Sequence, residues 1–146
     1  MLIRRKNREK GASLVESALV LVTVLGMILF ILDMGRILLM QQFITARAQA
    51  TVRQAVVNNW SAANVQNYLV YNSTTAPGGS GTPGLLGLLP SQVSYTPLGT
   101  SGTPDYRLQV TVSGVPAFTW IPFISGIYTL PTVVATAPAQ SLGATS

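Results

Sequence analysis

Four carboxylates are all the acid this 146-residue chain has: Glu9, Glu16, Asp33 and Asp105. It contains no cysteine and no histidine. Thiol nucleophiles, redox pairs, zinc sites and histidine-based proton transfer are therefore excluded. Outside the N-terminal apolar region only Asp105 remains, so a paired-carboxylate site cannot be assembled there. A serine, threonine or tyrosine nucleophile would have no base to activate it. The inventory points away from an enzyme and calls for no metal and no cofactor. What remains is the chemistry of charge placement, and one residue concentrates it. Glu16 lies inside the leading edge of a long apolar run, where a charge is costly and its presence argues for a function.

The element that positions Glu16 is the run itself. Ala12 to Leu32 contains 21 residues, which as a helix rise about 31 Å, the thickness of a bilayer's hydrocarbon core. Between Ser17 and Leu32 the only further polar side chain is Thr23. Arg4, Arg5, Lys6, Arg8 and Lys10 crowd the N-terminal side, which predicts a cytoplasmic N-terminus and an outward-facing remainder. Of the formal charge of +5, residues 1–11 carry +4. The basic character belongs to this stub rather than to a folded surface, so nucleic acid is not an expected partner. Absence of cysteine forbids disulfides without identifying a compartment.

A conventional secretory signal ends in a small-x-small cleavage site close behind its apolar core. Ala46-Arg47-Ala48 and Ala48-Gln49-Ala50 have that form, but they lie beyond Asp33 and Arg36, well past the apolar segment. The alternative is a cut ahead of the helix, between Gly11 and Ala12.

Basic residues, Gly11, then Ala12-Ser13-Leu14-Val15-Glu16 and a long apolar helix resemble the prepilin signature of type IV pilins and pseudopilins. With Ala18 to Val22, Asp33-Met34-Gly35-Arg36 and the helix from Gln41 to Val57, the chain is similar to TadE-like proteins, minor pilins of tight-adherence (Tad) pili. The match covers residues 4–57 well and the remainder only in layout. Ser17 stands where that family often has Phe, and the Pro often found near position 23 is missing. The resemblance implies cleavage after Gly11 by a prepilin peptidase, leaving Glu16 as the fifth residue of the mature chain. It also implies Asp33, Gly35 and Arg36 as a recurrent motif. The partners it implies are the pilus assembly platform with its ATPase, other pilin subunits, and the lipid bilayer before assembly. Localisation would be the inner membrane and then a surface pilus.

A physical argument runs beside the resemblance. Cleavage would free an amine at Ala12, one helical turn from Glu16. In a filament, the amine of an arriving subunit could meet the Glu16 carboxylate of its neighbour in a low-dielectric core. Removing one partner of such a buried pair costs about 3–5 kcal/mol, enough to specify register. The rival is an uncleaved single-span anchor that displays an extracytoplasmic binding domain, with Glu16 snorkelling to headgroups.

Beyond the span, Met34, Ile37, Leu38, Ile44, Ala48, Val52, Ala55 and Val56 recur mainly at steps of three and four, predicting an amphipathic rod. Gln41, Gln42, Arg47, Gln49, Arg53 and Gln54 fall on its wetter positions. Residues 13–57 as one helix would reach about 68 Å, too long for a small domain to bury. Asp33 and Arg36, three apart, read as a surface pair marking the outer membrane boundary. Asn58-Asn59 is a helix stop, after which Ser61 can cap a short helix carrying Val65, Tyr68 and Leu69. Residues 72–90 are rich in Gly, Pro, Ser and Thr and read as a linker. Tyr106 to Ser113 alternates apolar and polar residues as a half-buried strand, with weaker strands at 92–96 and 132–136. Phe118 to Tyr128 is an apolar, aromatic connection, expected to pack between sheet and helix.

The expected architecture is α+β: a long N-terminal helix, transmembrane and then amphipathic, with a small antiparallel β-containing C-terminal head. Its divisions are a leader at 1–11, a membrane and filament-core helix at 12–33, an amphipathic extension with a short second helix at 34–71, the linker at 72–90, and the head at 91–146.

Overall fold

The computed structural model describes residues 3–78, 81–117 and 128–139, the first eight of these by backbone alone. One helix, α1 (Ile3–Asn58), dominates it. At 1.5 Å per residue its 56 residues extend about 84 Å. Its first half carries no head at all. Every residue from Gly11 to Leu32 is exposed, and the most apolar window, of mean hydropathy 2.5, is buried nowhere against the rest of the chain. By length and composition α1 can cross a membrane. Of the three hydroxyls there, those of Ser17 and Thr23 are satisfied within the helix, Ser17 Oγ donating to the Ser13 carbonyl and Thr23 Oγ1 to that of Leu19, both at 2.9 Å. Lipid supplies no partners, so internal satisfaction is what a spanning helix requires.

The second half of α1 is the spine of the head. Asn59 adopts a left-handed backbone (φ 48°), and the Trp60 amide bonds back to the Ala55 carbonyl at 3.1 Å. That six-to-one closure is half of a Schellman stop, and Asn is one of the few residues that enters this region cheaply. After it, Ser61 caps α2 (Ala62–Tyr71) by accepting from the Asn64 amide. Asn72, also left-handed, ends α2 by donating its amide to the Tyr68 carbonyl. The Trp60 and Tyr68 rings lie against each other, their centroids 4.7 Å apart.

Three strands follow: β1 (Val93–Leu98), β2 (Arg107–Val112) and β3 (Val133–Pro138), antiparallel in the order β1-β2-β3. Val110 in the central strand pairs with Tyr95 on one side and Ala135 on the other. One face of the sheet is buried through Leu108, Val110, Val112, Val133, Ala135 and Ala137, as the period-two pattern requires. α1 packs over β3 and β2 while α2 packs over β1. Pro97 is tolerated because β1 is an edge strand. Past β2 and before β3, Ala117 and Leu130 donate their amides to Tyr128 and Val115, forming the base of a further antiparallel connection. The aromatic stretch containing Trp120 and Phe123 lies outside the described residues; Tyr128 at its end is exposed.

The core joins Met40, Ile44, Ala48, Val52 and Ala55 of α1 to Val65, Leu69 and Val70 of α2 and to the buried sheet face. Small residues on both sides, Ala48 and Ala55 of α1 and Ala135 and Ala137 of β3, leave room for the helix and sheet to approach closely. Two expected members of the helix stripe lie elsewhere: Met34 and Leu38 are 47% and 57% exposed. Residues of the glycine-rich stretch are tied to α2 rather than swinging free. Tyr71 donates its hydroxyl to the Thr82 carbonyl at 2.6 Å, Asn67 reaches Thr74, and Leu88 is in the core. Gly84 sits so close to the Val70 carbonyl that any Cβ would overlap it.

Thr51 is fully buried on the helix face against the sheet, and its hydroxyl has no hydrogen-bond partner. An orphaned buried hydroxyl costs about 1–3 kcal/mol, whereas an apolar group of the same shape costs nothing comparable. Thr51→Val is thus expected to raise the head's stability by about 1 kcal/mol, read as a higher urea midpoint in detergent micelles.

Candidate functional site

Gly11, Ala12 and Glu16 lie on one continuous stretch of α1, all exposed. Ala12 and Glu16 are four residues apart, so they stack on one face about 6 Å apart along the axis. A side chain on Gly11 would meet nothing within 4 Å. Glycine in a helix interior weakens it by about 1 kcal/mol relative to alanine, so the Gly11–Ala12 peptide is a soft point in an otherwise regular helix. The helix nevertheless runs through it from Ile3, and access by a peptidase requires local unwinding.

Asp33, Gly35 and Arg36 lie where the naked half of α1 meets the head. The expected surface position holds for Arg36 and not for Asp33. Asp33 is 6% exposed, on the same face as Met40 and Ile44, while Arg36 is exposed. Neither is without a partner. Counting helical phase explains Asp33: positions 33, 37, 40 and 44 lie within one narrow stripe, and that stripe faces the head. The carboxylate therefore marks the lower end of the head's footprint. Nothing within 4 Å would meet a Cβ on Gly35.

Arg47 was expected on the wet side and is instead half-buried. Its Nε donates to the Leu69 carbonyl at 2.9 Å and Nη2 to the Tyr68 carbonyl at 3.4 Å. These are carbonyls of the last turn of α2, at the negative end of the helix dipole, and the Tyr68 carbonyl also accepts from the Asn72 amide. The guanidinium thus clamps the two helices together. The signal in the sequence was its phase, between Ile44, Ala48 and Thr51. Arg47→Met keeps the aliphatic stem and removes the donors; hydrogen bonds from a charged group contribute about 1.5–3 kcal/mol, discounted here because the site is half open. A loss of about 1–2 kcal/mol in urea unfolding is expected, with α2 and not the span losing amide protection.

Among the described residues the rest of the head offers little reactive chemistry. The Tyr95 hydroxyl is pushed above its ordinary value of 10.0 by burial and then by the neighbouring Tyr106. A shallow groove on the outer side of α1, lined by Leu38, Gln41, Gln42, Thr45, Ala46 and Gln49, holds no titratable group. Among the described residues no three His, Cys, Asp or Glu side chains gather as a metal site. What the described residues form is a bare apolar helix end with one acid near its start, and a head packed on the other end. Comparison with protein-family models, with curated proteins and with solved structures finds no match for this chain.

Proposed function

We propose that this chain is a structural pilin subunit of the TadE-like kind. It is inserted in the inner membrane with its N-terminus in the cytoplasm, cut between Gly11 and Ala12 by a prepilin peptidase, and assembled into a surface pilus for adhesion or a related task. The observation that carries this reading is the division of α1: residues 11–32 are wholly bare, and the head grips only the part from Asp33 onward. A helix so divided can exchange lipid for neighbouring helices without disturbing its head. Glu16 supports the reading because it stands one turn inside the end that cleavage would create. The new amine of one subunit and Glu16 of another would then pair where water is excluded. The chain acts by assembly and not by catalysis. Its partners are the peptidase, the assembly platform and ATPase, and other subunits.

One observation favours a second reading, an uncleaved anchor displaying the head as a binding module: α1 passes through Gly11–Ala12 without a break. Intact mass and N-terminal sequencing of the mature protein decide between them. The pilin reading requires a chain that begins at Ala12, and Gly11→Phe should block that conversion. A mature chain retaining Arg4 to Lys10 overturns it.

A further inference from the structure

Two acids bound the apolar run of α1, and the fold withdraws one of them. By hydropathy the span is 12–32, with Asp33 just outside it. That placement sinks Glu16 about 6 Å below the cytoplasmic face of the hydrocarbon. It also leaves Met34, Leu38 and Leu39 above the outer face, although they are 47%, 57% and 60% exposed. Their side of α1 continues the bare helix below them.

Asp33 does not fix the boundary, because it is 6% exposed and lies on the stripe that the head covers. A carboxylate drawn off the helix surface meets no lipid at any depth. From Ser17 to Leu39 the lipid-facing side therefore offers no acid. Those 23 residues rise about 34 Å, which crosses a core of about 30 Å with ordinary tilt. Arg36 is the exposed charge in this segment. It lies about 4.5 Å below Leu39, close enough for its side chain to snorkel to the headgroups. Gln42, an exposed amide, follows Leu39 within one turn. The head is suited to such a neighbourhood: past Arg53 its only charged side chains are Asp105 and Arg107.

We propose that the inserted chain sits with Ser17 to Leu39 in the hydrocarbon. Outer-leaflet lipid then covers the outward side of α1 up to Leu39, and the lower edge of the head, where it covers Asp33, enters that leaflet. Burial of Asp33 is what allows this depth, since the head shields the acid from lipid. Glu16 stands at the cytoplasmic headgroups, and the Gly11–Ala12 peptide lies about 8 Å outside the hydrocarbon. This depth rests on insertion of α1 and needs neither the cut nor the filament.

Because the chain has no native cysteine, single thiols at Leu25, Leu38, Leu39 and Gln49 each report one depth. All four side chains are exposed and outside the core, so their replacement leaves the head folded. Each is labelled with bimane in purified full-length chain, reconstituted into vesicles of phosphatidylethanolamine and phosphatidylglycerol. Doxyl-labelled lipid and aqueous iodide then serve as quenchers. The expected result is doxyl quenching at Leu38 and Leu39 within twofold of that at Leu25 and at least fivefold above that at Gln49, with iodide ranking the sites in reverse. Iodide quenching at Leu38 and Leu39 equal to that at Gln49 returns the boundary to Asp33 and overturns the proposal. Protection from both quenchers also overturns it, by assigning this side to a second copy. Asp33→Asn should leave the pattern unchanged; doxyl quenching at Leu39 that rises only in this variant means that the acid had set the depth. The same profile measured on the Gly11→Phe chain separates depth from processing, because it stands there whatever becomes of the leader.

Discussion

Replacing Val110 with aspartate is expected to unfold the head completely while leaving the chain in the membrane. Val110 is fully buried in the central strand, between Tyr95 and Ala135, in a strand that α1 packs over. An uncompensated carboxylate there costs several kcal/mol, comparable with the whole stability of a domain this size, about 5–15 kcal/mol. On the proposed reading insertion depends on residues 12–32, none of which is buried against the head. Limited proteolysis of membrane fractions should therefore digest everything beyond the span, while the N-terminal fragment resists alkaline extraction. A head that stays protected would mean that the sheet face is not the core. Loss of the fragment from the membrane would mean that anchoring depends on the head.

Glu16→Ala is expected to do the reverse, sparing the monomer and abolishing the filament. The side chain is exposed and supports nothing within the chain, so insertion, cleavage and head stability should be unchanged or slightly improved. On the proposed reading each subunit addition loses a buried ion pair. The remaining amine is then left uncompensated, at about 3–5 kcal/mol, which is roughly two to nearly four orders of magnitude in the association constant. Quantifying filaments sheared from cells against processed protein in the membrane checks this. Normal filament yield from Glu16→Ala would remove the pairing from the mechanism.

Local signals carried far in this chain. The alternation around Leu108, Val110 and Val112 places β2, and Asn59 with Ser61 places the boundary between the two helices within a residue. Both depend on near neighbours only, which is why composition and spacing sufficed. The phase of α1 was not legible in the same way, since the helix carries two apolar stripes and periodicity alone cannot say which meets the sheet. Met34 and Leu38 thus read as inward although they are exposed, while nothing in the spacing singles out Met40 and Thr51, which are buried. Asp33 and Arg47 were placed in water for a related reason: a charged residue beside a buried stripe takes its environment from what packs there. Arg47 is fixed by carbonyls 21 and 22 residues away. The glycine-rich stretch reads as free linker because its ties, Tyr71 to Thr82 and Asn67 to Thr74, leave no compositional trace. At the candidate site the positions of Gly11, Ala12 and Glu16 on one helical face follow from spacing, whereas the helix running unbroken through the Gly11–Ala12 peptide does not.

The unbroken course of α1 from Ile3 to Asn58 also has a mechanical meaning. Tension applied along the rod is carried by peptide hydrogen bonds aligned with the pull, in series from one end to the other. The sheet is fastened to a flank and lies outside that load path. A machine that tugs on the basic end would therefore move the head as cargo without straining the strands that hold it together.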